Sequence, residues 1–132
     1  MNWLNCLTIF FALAVLLSSC DAFEPDSLTE LTGAKTEVER VYACENVFEE
    51  EAVRVRVLRD HAKTEADRAL AIEWVAEADS ISGKFITRLD GYSPADFKKA
   101  SLSFNKKFTQ SEFTALFEDY GRVLKAHCTE IL

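Results

Sequence analysis

From Thr36 onward, apolar residues recur at three- and four-residue steps. Val38, Val41, Phe48, Ala52 and Val55 form the first such stripe, with Cys44 on it. This is the period of an amphipathic helix. The stretch "TEVE" opens it as a capping box, with Thr36 as N-cap and Glu39 reaching back. "AVRVRVLR", residues 52–59, alternates like a strand. Its flanks are helix-like and offer no pairing strand, so the helix is expected to continue through it.

Uninterrupted, that helix would reach Asp90 and span about 80 Å. A turn at residues 60–64 is therefore expected, followed by a second capping signal, "TEAD", from Thr64 to Asp67. Leu70, Trp74, Ile81, Phe85 and Leu89 predict the buried face of the second helix, and Gly83 marks a place where it can kink or break. "DGYSP" ends it, with Gly91 as C-cap, Ser93 as the next N-cap and Pro94 at the first helical position. A third, short helix runs to about Lys107, with Phe97, Ser101, Phe104 and Phe108 on one face. "TQSE" is a further capping box, Thr109 to Glu112. The last helix carries Phe113, Leu116, Phe117, Tyr120, Leu124 and Ile131 as an apolar stripe, with Gly121 and Cys128 on it. Glycine costs about 1 kcal/mol in a helix interior, so Gly121 on the packed face predicts close approach by another helix.

The pattern predicts an all-α fold: a small antiparallel bundle of about four helices over residues 36–132. Cys44 and Cys128 both face inward and are expected to form a disulfide, the alternative being two buried free thiols. The bridge would close a loop of about 85 residues, for which chain entropy gives roughly 4 to 5 kcal/mol.

The first 20 residues follow a different pattern. Leu7 to Leu17 is apolar apart from Thr8, and no charge occurs before Asp21. Eleven helical residues span about 16 Å, half a bilayer core, which suits a signal-peptide h-region and not a transmembrane helix. Leu17-Ser18-Ser19-Cys20 then resembles the bacterial lipobox. The resemblance implies cleavage after residue 19 and acylation of Cys20, giving residues 1–19 as signal peptide. Residues 20–35 would be a lipidated N-terminus and acidic tether, with one helical turn from Ser27. It implies a periplasm-facing lipid anchor in the cell envelope, and Asp21 after the cysteine points to the inner membrane. The n-region "MNWLNC" departs from the pattern, having no Lys or Arg. Cleavage after Ala22, in a eukaryotic secreted protein, therefore stands as the alternative.

The chain carries a formal net charge of −7. The acids are concentrated toward the N-terminus: up to Glu51, Lys35 and Arg40 are the only bases. No basic footprint for phosphate neutralisation is present, so nucleic acid is not an expected partner.

Candidate chemistry is sparse. His61 and Glu65 stand four apart, but two ligands are too few for a metal site, so no metal is expected. His127 adjoins Cys128, but a nucleophilic pair needs a free thiolate, which the expected disulfide removes. Glu49, Glu50 and Glu51 read as a solvated helix face. No cofactor motif and no catalytic constellation is found. One stretch departs from its acidic surroundings: "FKKASLSFNKKF", whose Lys98, Lys99, Lys106 and Lys107 make a broad basic face beside three phenylalanines. Such a face suits a partner or a membrane surface.

The expected function is that of a non-catalytic, envelope-anchored lipoprotein whose helical domain binds another envelope protein. An immunity or inhibitor protein, neutralising a toxin or a basic wall-degrading enzyme, is one form of this. The alternatives are a carrier of an apolar ligand between the helices and an enzyme.

Overall fold

The computed structural model describes residues 26–132. The signal sequence, the lipobox and Cys20 lie outside the described residues. Among the described residues five helices follow one another: α1 Leu28–Thr32, α2 Glu37–Asp60, α3 Glu65–Asp90, α4 Pro94–Lys107 and α5 Gln110–Glu130. No strand occurs among the described residues.

Each helix start is set by a hydroxyl that accepts an otherwise unpaired backbone N–H. Ser27, Thr36, Thr64, Ser93 and Thr109 accept from Glu30, Glu39, Asp67, Asp96 and Glu112. Thr109 and Glu112 close the full capping box, whereas Glu39 reaches one residue further back, accepting from Lys35 N–H at 3.0 Å. α1 ends on Gly33 at φ 74°, where a side chain would be strained.

α2 is the centre of the fold. Over its first half Val41, Ala43, Cys44, Val47, Phe48 and Glu50 are buried, covering about half of the circumference. α3 runs antiparallel along it, with the Phe48 and Phe85 rings stacked at 6.0 Å. α4 packs by its aromatic face, the Phe97 and Phe104 rings meeting Tyr42 edge-on. α5 is antiparallel to α2, as three contacts in reversed order require. Cys128 is bridged to Cys44 with Cα atoms 5.4 Å apart, Lys125 pairs with Glu51, and Arg54 lies over the Phe117 ring. The all-α, disulfide-stapled antiparallel bundle is thus as expected.

At one end, Arg88 ties three helices together. Its guanidinium donates to Glu37 at the start of α2 and to the Ile131 carbonyl beyond α5. At the other end the bundle thins. Ala52, Val55, Val75 and Ala78 form a separate small core between α2 and α3 alone. No residue of a third helix joins this small core.

Several sequence expectations are corrected. Leu28, Leu31, Thr32 and Ala34 are buried, the two leucines within the main core. Residues 28–34 therefore belong to the bundle and not to a loose tether, because α1 places both leucines on one side. Leu70 and Trp74 are exposed; the buried stripe of α3 is Ala71, Val75, Ala78, Ser82, Phe85 and Leu89. Small side chains let α2 and α3 approach closely, and this sets the rotation of α3. α3 continues unbroken through Gly83, where a Cβ would meet nothing within 4 Å. The atoms nearest to a Cβ placed at Gly121 belong to the Phe117 ring of its own helix, at 3.0 Å.

Candidate functional site

Two surfaces are unlike the rest. The first is on the outer hairpin. Two adjoining clefts share Leu58 and Trp74. The inner one, about 330 Å³, has Phe48, Val55 and Leu58 as floor, with Trp74, Glu77 and Ile81 along α3 and Lys125 at its α5 end. The outer one, about 360 Å³, continues past Leu70 and Ala71 to the turn at His61, Ala62 and Lys63. The helical period explains the arrangement: Leu70, Trp74, Glu77 and Ile81 follow at three- and four-residue steps down one flank of α3. Trp74 is 44% exposed, Leu70 44% and Leu58 55%, high for side chains of this size on one continuous strip.

The α3 rim of this strip is acidic. Asp67, Glu73 and Glu77 make no ion pair among the described residues, and they flank Leu70 and Trp74. At the inner end the carboxylate of Glu51 is engaged by Lys125 at 3.1 Å. Sequence reasoning missed this site because it assigned Leu70 and Trp74 to the core. The stripe of Ala71, Val75 and Ala78, one residue out of phase, was the signal that could have found it.

The second surface is on α4. Lys98, Lys99, Lys106 and Lys107 are all exposed, as the helical spacing predicts. Taking 100° per residue, Lys98, Leu102, Lys106 and Lys99 fall within an arc of about 100°. Leu102, 60% exposed, sits inside that arc. Lys107 lies to one side, its Nζ over the Phe108 ring at 5.5 Å. Of the three phenylalanines, Phe104 and Phe108 pack against the core, while Phe97 stays 41% exposed at its edge.

The run Glu49–Glu51 is not one solvated face. Glu50 is buried, Glu51 pairs with Lys125, and Glu49 sits near Glu45. Burial of Glu45, with the charge of Glu49 and a hydrogen bond shared with it, pushes the Glu45 carboxyl up to about 7; the Ser82 hydroxyl opposes this. His61 and Glu65 do not converge: the His61 Nδ1 lies 2.9 Å from the Val57 carbonyl oxygen, and Glu65 pairs with Arg68. The Cys128 sulfur is held in the disulfide, so the His127–Cys128 neighbourhood contains no thiolate. No group of three metal-binding side chains occurs among the described residues.

No helix among the described residues is long and apolar enough to cross a membrane. No family model, no curated protein and no solved structure matches the chain.

Proposed function

We propose that this chain is a non-catalytic envelope lipoprotein, anchored through Cys20, whose helical domain binds another protein by taking up an amphipathic helix along the outer α2–α3 hairpin. The observation that carries the reading is the open apolar strip from Ile81 past Trp74 and Leu58 to Leu70. A helix laid there would bury its apolar ridge as a third helix on a two-helix layer. The carboxylates of Asp67, Glu73 and Glu77 on the rim favour Lys or Arg beside that ridge. A basic partner also suits the immunity or inhibitor form of this reading, since the whole chain carries −7.

Trp74 is the sole tryptophan after Trp3, so the mature chain carries its own fluorescent reporter in the cleft. Titration with a synthetic helical peptide bearing a leucine ridge and lysine flanks should blue-shift Trp74 emission saturably. The same peptide with glutamate flanks should bind more weakly, and Leu58→Glu should abolish both responses. A response to a fatty acid, with none to either peptide, would assign the strip to an apolar ligand, the carrier reading. Silence toward all three would refute the cleft as a binding site. Anchoring is tested separately: mass spectrometry of the membrane fraction should find Cys20 as an acylated N-terminus, whereas a soluble product starting at Phe23 would replace the lipoprotein with a secreted protein.

A further inference from the structure

We infer that the lysine face of α4 seats on the anionic headgroups of the bilayer, fixing how the anchored domain stands on the membrane. The inference rests on the lipid-anchor reading for its setting and on α4 for its content.

α4 buries Ala100 completely and turns Phe104 toward Tyr42. By the helical period, the arc from Lys98 through Leu102 and Lys106 to Lys99 lies about 100° or more from both, and so faces away from the bundle. That arc contains no acidic residue; the one acid of α4, Asp96, is at its N-terminal turn, off the arc. None of the four lysines makes an ion pair among the described residues. They form a concentrated basic patch in a chain of net charge −7. An exposed leucine ringed by lysines is what an interfacial contact uses. The apolar group enters the headgroup layer while the ammonium groups stay at the phosphates.

Chain length supplies the second argument. Thr32, Gly33 and Ala34, just after α1, line a small cleft with Ala100, Ser103, Phe104 and Lys107 of α4. The segment that leaves α1 therefore lies beside α4, while α1 itself packs on α5 and α2. From Asp26 back to Cys20 is six residue steps, at most about 20 Å when fully extended. An anchor that short brings some face of the domain to the membrane, and α4 flanks the residues that follow α1, one short helix away from the anchor. Asp21, Glu24 and Asp26 in the connecting segment carry the opposite sign. Seating is therefore a property of the α4 face and not of net charge. Each lysine held at an anionic surface is worth about fivefold in partitioning, so the three lysines of the arc decide orientation once the anchor supplies proximity.

The test uses the lipidated protein with Leu102→Cys carrying an environment-sensitive fluorophore. Cys44 and Cys128 are bridged and an acylated Cys20 cannot react, so the label goes to one position. In vesicles containing phosphatidylglycerol, the label should shift to the blue and resist an aqueous quencher by several fold. In phosphatidylcholine alone it should not, and high salt should reverse the shift. Changing all four lysines to glutamate should abolish the shift with unchanged far-ultraviolet circular dichroism. The pairs Lys98/Lys106→Gln and Lys99/Lys107→Gln should each remove part of it. Identical emission in both vesicle types, or protection that survives the four glutamates, would overturn the inference. If labelling also modifies Cys20, the anchor reading fails instead. The unanchored chain added to the same vesicles then still reports on the face: a shift with phosphatidylglycerol alone keeps it, and no shift removes it.

Discussion

Leu58 and Trp74 stand on α2 and α3 and together line both clefts of the outer hairpin, each leaving about half of its surface in solvent. The relationship separates stability from function in this fold. Phe85, on the same helix as Trp74, is fully buried in the main core. Phe85→Ala is expected to cost about 3 to 5 kcal/mol, whereas Trp74→Ala should cost about 1 kcal/mol. Chemical denaturation of the two variants checks this. Equal losses would place Trp74 in the core and remove the cleft.

The disulfide links the central helix to the last one across a sequence separation of 84. Cys128→Ser should therefore lower the melting temperature by about 10 to 20 °C, within the roughly 4 to 5 kcal/mol that loop closure contributes. Alkylation without reductant should leave Cys44 and Cys128 unlabelled.

Glu45 gives stability a pH dependence of definite sign. Its carboxyl titrates near 7 when folded, against an ordinary 4.5. The folded state therefore holds the proton more tightly, and this contribution is full below about 4.5 and is lost as pH rises through about 7. Glu45→Gln should remove the loss, raising stability at pH 8 and leaving it nearly unchanged at pH 4. Because the group is partly solvated, the gain is discounted to about 1 kcal/mol, or about 5 °C in melting temperature. Melting curves of both proteins across pH decide it; parallel curves would contradict the assignment.

The glycines differ in what a methyl group would do. Gly83 lies within α3 at a helical φ and faces open space. Gly83→Ala should stabilise by about 0.5 to 1 kcal/mol. Gly33, at φ 74°, has the Lys107 side chain against it. Gly33→Ala should destabilise by about 1 kcal/mol or more. Two melting curves with opposite shifts are the expected result.

The sequence by itself determined where the helices begin and end. The hydroxyls at Ser27, Thr36, Thr64, Ser93 and Thr109 act on N–H groups within three residues, so no distant part of the chain is needed to read them. It also determined the disulfide partners, since two inward-facing cysteines remain once Cys6 and Cys20 are set aside. The exposure of the α4 lysines followed from helical phase alone. Tertiary structure decided what depends on which surfaces meet. α3 carries two stripes one residue apart, Leu70–Trp74 and Ala71–Val75–Ala78. Hydrophobicity favours the first, but close packing of two helices favours the second, and packing won. The three adjacent glutamates at 49–51 look alike in sequence and were separated only by tertiary contacts such as that of Lys125 on α5 with Glu51. α1 became core because the bundle had room for Leu28 and Leu31. The cleft exists because the small core of Ala52, Val55, Val75 and Ala78 holds residues of α2 and α3 alone, with α5 reaching only the inner end at Lys125, a relation between elements that no local pattern encodes.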